Sequence, residues 1–169
     1  MSATVHAPTM VTVREAQSSA DLDAVRGLMR AYAAEAGVEV CFQTLDAELK
    51  ALPAGFSAVL VGMVDGTTAG CIALKALPEG RSEIVRLYVA PEARRLGLGR
   101  ALVDAALDAA RTHGRAKVVL HTLARWRAAT ALYRDMGFAP AAPYCAEPLD
   151  DVLFFECPSP TLPASRSAT

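Results

Sequence analysis

Apolar and polar residues alternate through Val11-Thr12-Val13-Arg14, as they do along a half-buried strand. The period then lengthens. Leu22, Val25, Leu28, Met29 and Tyr32 fall on one side of a helix that Ser18 or Ser19 can cap and Gly37 can end. Thr44 is placed to cap a short second helix, with Leu45, Leu49 and Leu52 on one side and Pro53 as its stop. Two strands follow, Ala58 to Val64 and Ala69 to Ala76, and Asp65-Gly66 between them predicts an antiparallel hairpin. Beyond the turn Leu77-Pro78-Glu79-Gly80, the run from Glu83 to Val89 predicts a fourth strand. A long helix starts at the glycines 97 and 99 and runs to about His113, with Leu98, Leu102, Ala105 and Ala109 on one stripe and Gly114 at its end. Lys117 to Thr122 reads as a fifth strand, parallel to the fourth because a helix joins them. A last helix from about Arg125 to Met136 stops at Gly137, and Phe138-Ala139 and Val152 to Cys157 complete the sheet.

Length and composition set the frame around these elements. The 169 residues, 53% of them hydrophobic, suffice for a single domain with a sizeable core. That domain is expected over 11–157, between a flexible leader, 1–10, and a tail, 158–169, whose Pro, Ser, Ala and Thr content predicts disorder. A formal net charge of −1 removes the electrostatic footprint of a nucleic-acid or anionic-membrane binder. No apolar run approaches a membrane span, and Met1 to Met10 lacks the basic head and apolar core of a signal peptide. Cys41, Cys71, Cys145 and Cys157 are scattered, with no C-x-x-C pair and no histidine spaced to complete a zinc site, so no metal is expected. Cys71 and Cys157 fall in predicted strands and read as small core residues. A reducing cytoplasm is the expected location.

The stretch that carries chemistry is the end of the fourth strand and the loop behind it. Pro91 removes a donor and biases Ala90 away from the helical region, so the strand stops there. Gly97 and Gly99 let the backbone turn tightly and approach a ligand, and the helix behind them presents unpaired N–H groups suited to phosphate. Arg94, Arg95 and Arg100 concentrate positive charge locally in a nearly neutral chain. A Walker A loop needs Lys-Ser/Thr after its second glycine, but Gly99 is followed by Arg100-Ala101; a dinucleotide fingerprint needs a small residue where Leu102 stands.

The pattern Arg94-x-x-Gly97-x-Gly99, preceded by Glu83-Ile84-Val85-Arg86-Leu87-Tyr88-Val89-Ala90-Pro91 and followed by Ala129-x-x-Leu132-Tyr133-x-x-x-Gly137-Phe138, resembles the acyl-CoA loop and its flanks in the GNAT superfamily of N-acyltransferases. The element order βαα-ββ-βα-βα-ββ is that of the superfamily, so the resemblance covers about residues 11–157. It implies an α+β (mixed α/β) fold with a central, mostly antiparallel sheet of six to seven strands, about four helices, and fourth and fifth strands that splay apart. Cys41-Phe42-Gln43 with Glu48-x-x-x-Leu52-Pro53-x-Gly55 also resembles a bacterial subgroup of these proteins.

The resemblance implies acetyl-CoA as co-substrate and an amine, of a small molecule first, as acceptor. Its pantetheine arm would pair with the loose edge of the fourth strand at Leu87, Tyr88 and Val89, and its pyrophosphate would meet the N–H groups from Arg95 through Leu96, Gly97, Leu98 and Gly99 to Arg100. A helix dipole contributes only about 0.3–2 kcal/mol, whereas charge-assisted hydrogen bonds contribute about 1.5–3 kcal/mol each, so the row of amides outweighs the dipole, with Arg94 beside it. An alkyl ammonium titrates at about 10.4 and must lose its proton. Relatives place a general base where Glu83 stands, and others where His121 stands; the two remain alternatives, Glu83 first. Tyr133 matches the tyrosine that protonates the departing thiolate in relatives. Where relatives commonly carry Asn seven residues before that tyrosine, this chain has Trp126, which can cover cofactor or acceptor or merely pack. Glu35, Glu39, Asp46 and Glu48 around the first two helices hint at a cationic amine. A non-catalytic acyl-CoA-binding module and a protein N-terminal or lysine acetyltransferase are the rival readings, and homodimers are common among similar proteins.

Overall fold

The computed structural model describes residues 7–37, 44–146 and 149–158. The leader up to residue 6, the tail from 159, Glu39 and Cys41-Phe42-Gln43 lie outside the described residues. The elements are β1 (Val11–Glu15), α1 (Ser19–Ala36), α2 (Leu45–Ala51), β2 (Ala58–Val64), β3 (Thr67–Leu77), β4 (Arg81–Val89), α3 (Leu98–Thr112), β5 (Lys117–Leu123), α4 (Arg127–Asp135), β6 (Ala139–Pro140) and β7 (Val152–Pro158), with a 3-10 turn, Pro91–Ala93, between β4 and α3. No helix among the described residues is long and apolar enough to cross a membrane.

Local sequence accounts for most boundaries. Ser18 caps α1 in a reciprocal box: its hydroxyl accepts from Asp21 N–H at 3.1 Å, and the Asp21 carboxylate accepts from Ser18 N–H at 3.1 Å. Gly37, at φ 60°, ends α1. Asp65 and Gly66, at φ 49° and 81°, make the β2–β3 hairpin turn, which demands positive φ at both central positions. Thr44 differs from expectation. It stands at the start of α2 but makes no capping bond, because its hydroxyl donates to Glu48 Oε1 at 3.3 Å.

The seven strands form one mixed sheet in the order β1-β2-β3-β4-β5-β7-β6. Only β4 and β5 are parallel, and they pair over just three positions, ending at Glu83 opposite Val119. Beyond that point β5 continues against β7 while β4 continues against β3. The strands therefore part from Ile84 onward, which is the splay the resemblance implied.

Each sheet face buries its own core. Leu60, Ile72, Leu74, Ile84, Val118, Leu120 and Phe155 pack under α3 and α4, while Val59, Val61, Ala73 and Tyr88 pack under α1 and α2. In β4 the alternation is broken by a bulge: Cys71 pairs with Tyr88 but Ala73 with Val85, and Arg86 takes φ 58°. The extra residue reverses side-chain parity, so Ile84, Leu87 and Val89 face the α3 side and Val85 and Tyr88 the α1 side. The buried stripe of α3 is Leu98, Leu102, Val103, Ala106, Leu107 and Ala110, and Ala105 and Ala109, which the sequence reading put on one stripe with Leu98 and Leu102, flank it partly buried. Glycine on the sheet lets α3 sit close: a Cβ on Gly62 would lie 2.6 Å from Leu98 Cδ1. Cys71 and Cys157 are buried, as their strand positions implied.

Candidate active site where two strands part

The gap between β4 and β5 opens into a cleft of about 590 Å³. Leu87, Tyr88 and Val89 line it from β4; Arg94, Arg95, Gly97, Leu98 and Gly99 from the loop and α3; Trp126 and Tyr133 from the opposite side. Leu96 and Arg100 are not among its walls: Leu96 is exposed, and Arg100 pairs with Asp135 of α4. The cleft also takes walls from Tyr32 and Glu35 of α1, Thr122 of β5 and Leu132 of α4. Leu132 belonged to the quoted motif, but nothing local in the sequence marked Tyr32 or Thr122.

At the mouth of the cleft the start of α3 is bare. No side chain caps it and no acidic residue lies in its first turn, in contrast to α1. Arg95 and Gly97 take positive φ, 64° and 86°, so the loop turns sharply ahead of α3. Gly99 sits against the wall: a Cβ there would touch Leu132 Cδ2 at 3.5 Å and Val89 Cγ2 at 3.9 Å. The cleft thus has an uncapped helix N-terminus at its wall, a feature that suits an anion.

The Arg94 side chain is engaged within the chain, at the cleft wall. Its Nη2 lies 2.8 Å from both carboxylate oxygens of Glu35, and its Nε donates to the Val89 carbonyl at 3.0 Å. Glu35 also accepts from the Tyr88 hydroxyl at 3.0 Å. The Arg94 hydrogen bond, supported by Tyr88 and opposed by burial, holds the Glu35 carboxyl below its usual range. Tyr32 stacks on Tyr88 at 5.6 Å between ring centroids and meets Trp126 at 5.7 Å, so three rings from α1, β4 and the start of α4 narrow the cleft on this side.

Tyr133 is buried, edge-on to Phe138 at 5.7 Å, and faces the cleft. Its hydroxyl makes no hydrogen bond to any described residue, and burial raises its pKa further. The phenol therefore stays protonated with its O–H available to whatever enters.

Glu83 and His121 come together on the other face of the sheet. Glu83 is the last β4 residue paired with β5, and His121 lies two residues beyond its partner. His121 Nδ1 is 3.5 Å from Glu83 Oε2, and a residue the sequence reading passed over stands with them: the Tyr144 hydroxyl donates to Glu83 Oε2 at 2.5 Å and lies 3.1 Å from His121 Nδ1. Tyr144 comes from the connection between β6 and β7 and packs edge-on to Phe154, which pairs with His121 across β5 and β7. Burial pushes the Glu83 carboxyl up, but the hydrogen bonds from His121 and Tyr144, with the charges of His121 and Lys75, outweigh it and hold the group below its usual value.

The acidic residues offered as a signal for a cationic acceptor are mostly engaged. Glu48 lies 2.8 Å from Arg86 Nη2 and 3.1 Å from Lys75 Nζ, and Glu35 holds Arg94. Asp46 is exposed. Glu48 and Glu35 are thus matched to cations of the chain itself. Cys71 is fully buried and its thiol is pushed up to about 12 by that burial, which removes it as a nucleophile. Among the described residues no three His, Cys, Asp or Glu side chains gather as a metal site requires.

Comparison with known proteins agrees with this geometry. The model of the acetyltransferase (GNAT) family matches residues 25–138. A Schizosaccharomyces pombe protein named as an uncharacterized N-acetyltransferase is 31% identical over 153 residues, covering 87% of this chain and 94% of its own. A GNAT-family acetyltransferase from Staphylococcus aureus superposes with a TM-score of 0.72 at 15% identity, over 88% of this chain and 99% of that one. The PaiA N-acetyltransferase of Thermoplasma acidophilum, solved in complex with coenzyme A, gives a TM-score of 0.68 at 18% identity, over 87% and 98%.

Proposed function

The chain belongs to the GNAT acetyltransferase family and is an acyltransferase, and from that premise we propose that it moves the acetyl group of acetyl-CoA directly onto the amine of a small molecule. The observation that carries the reading is the bare start of α3 opening on the cleft that Tyr133 also faces.

Acetyl-CoA supplies an acyl group activated as a thioester. The N–H groups of residues 95–100 suit its diphosphate, and the β4 edge released by the splay suits its two amides, which can pair as a further strand would. The Glu83–His121 cluster is the candidate to take the ammonium proton of the acceptor, and Tyr133 Oη–H is the candidate to protonate the departing sulfur. Reference values make the second transfer uphill by about 2 kcal/mol. Burial raises the Tyr133 phenol further, and loss of water also disfavours a thiolate leaving into the cleft, which offsets part of that rise.

Glu83 and His121 lie on the α1 side of the sheet and Tyr133 on the α3 side. Such a division suits an amine arriving from one face and a thiolate leaving on the other, with the parted strands between. The ring contacts among Tyr32, Tyr88 and Trp126 favour a small acceptor over an extended peptide, because they narrow the space an extended chain would cross. Thiol release measured with acetyl-CoA and a panel of small amines tests the reading. Calorimetric binding of CoA without thiol release on any amine would replace it with a binding module.

A further inference from the structure

Arg86 stands in the middle of a strand at φ 58°, a conformation that L side chains rarely adopt, so something must hold it there. Arg86 and Leu87 together oppose the single residue Ile72, between the pairs Cys71–Tyr88 and Ala73–Val85. In plain alternation the side chain of residue 86 would leave on the side of Ile84, into the apolar cluster under α3. In the bulge it leaves on the other side and meets α2: Arg86 Nη2 and Nε donate to Glu48 Oε2 at 2.8 and 3.2 Å. The Arg86 carbonyl accepts from the Cys71 thiol at 3.5 Å.

The pair is enclosed, with the Arg86 side chain 11% exposed and that of Glu48 14%. Burial pushes the Glu48 carboxyl up, but Arg86 and then Lys75 outweigh it and keep the group below its usual range. Charges this enclosed are costly to leave without each other. Because the two meet only when β4 is bulged, their attraction acts on the register of the strand. The other oxygen, Glu48 Oε1, accepts from Lys75 Nζ at 3.1 Å, and Lys75 pairs with Glu83 just before the irregularity. One carboxylate therefore ties α2 to both sides of the bulge. Glu48 is not a wall of the cleft, and it opens the pattern Glu48-x-x-x-Leu52-Pro53-x-Gly55, to which the acetyl-transfer reading gives no part.

We propose that Glu48 is a positioning residue: through Arg86 it holds β4 in the bulged register, which turns Leu87 and Val89 to the α3 side of the sheet and Tyr88 to the α1 side. What this does for CoA rests on the acetyl-transfer reading, in which the cofactor lies along β4 beyond Arg86; the register does not rest on it.

Cross-strand proton contacts measured by NMR read the register without any ligand. In wild type they should join Cys71 to Tyr88 and Ala73 to Val85. In Glu48→Gln, which removes the charge and keeps the shape, a second set joining Cys71 to Leu87 should appear, while the Lys75–Glu83 contact persists. CoA affinity by calorimetry should fall about 10-fold in this variant. Arg86→Gly supplies a residue for which φ 58° is unstrained. Combined with it, Glu48→Gln should cost less than about 2-fold in CoA affinity, a suppression that general loss of stability would not produce. Should Glu48→Gln fail to fold, Glu48→Asp, which withdraws the carboxylate by one methylene, is expected to show the same changes in smaller measure. A folded Glu48 variant with wild-type contacts and affinity overturns the proposal. So does an equal loss of affinity with and without Arg86→Gly. If CoA binds none of these chains, the acetyl-transfer reading fails by itself, and the cross-strand contacts still decide this one.

Discussion

Glu35 grips Arg94 across the mouth of the cleft, with both carboxylate oxygens 2.8 Å from the same guanidinium nitrogen. The contact sets an anion beside a loop otherwise suited to phosphate, and it ties α1 to the end of β4. Both side chains are more than 40% exposed, so screening keeps the electrostatic effect small. Glu35→Gln is expected to tighten CoA by about 2–5-fold, the equivalent of about 0.4–1 kcal/mol for an exposed pair. Titration calorimetry at low and high salt checks it: the gain should shrink as salt rises, and weaker binding in the variant would contradict it.

Tyr133→Phe removes a hydroxyl that no described residue engages. Turnover is expected to fall on the order of 10²-fold, the scale of general acid catalysis, with CoA affinity and urea midpoint close to wild type. Steady-state kinetics beside an unfolding curve separate the two. Undiminished turnover would remove Tyr133 from the reaction.

Trp126 is the chain's single tryptophan and lines the cleft. Its emission therefore reads the cleft without interference. Adding CoA should change intensity or wavelength with a saturable dependence that matches calorimetry. Calorimetric binding with a silent indole would move the ligand to another surface.

Gly62→Ala places a methyl 2.6 Å from Leu98 Cδ1, and Leu98 is buried at the start of α3 with little room to yield. Overpacking of this kind costs about 1–3 kcal/mol. The urea midpoint should fall, and CoA should bind less well because the helix end that faces the cleft is displaced. A variant as stable as wild type would mean that α3 can lift away freely.

Asp21 accepts from Arg14, Gln17 N–H and Ser18 N–H, in that order of effect, and these bonds hold its carboxyl well below the usual range. A depressed folded-state pKa stabilises the fold above the unfolded value of about 3.9, and the contribution drains away as pH falls below it. The thermal midpoint of wild type should exceed that of Asp21→Asn at pH 7, and the difference should narrow as pH falls from about 5 to 3, with part of it still present at pH 3. A constant difference across that range would contradict the linkage.

Much of this molecule was readable before any coordinates, because the signals were local. Asp65-Gly66 states its own hairpin, Ser18 its own cap, and the glycines before α3 their own bare helix end. What escaped reading is non-local. Tyr144 meets Glu83 across 61 residues of chain, and no spacing rule joins a connecting loop to a strand in that way. Tyr32 was legible as one of α1's apolar stripe but not as a wall of the cleft, since that depends on how the helix lies over β4. The acidic residues of α1 and α2 were visible, yet their arginine partners on β4 and the loop were not, so a charge count does not tell which carboxylates are already paired. The bulge at Arg86 carries no glycine to announce it.

That bulge makes the reading frame of β4 part of its design. Deleting one residue there would restore plain alternation downstream, swing the Tyr88 ring to the α3 side and turn Leu87 and Val89 toward α1, while Glu83 stayed where it is. Shortening this strand is thus a harsher operation than any single substitution within it, since it exchanges the two faces of β4 beside the cleft.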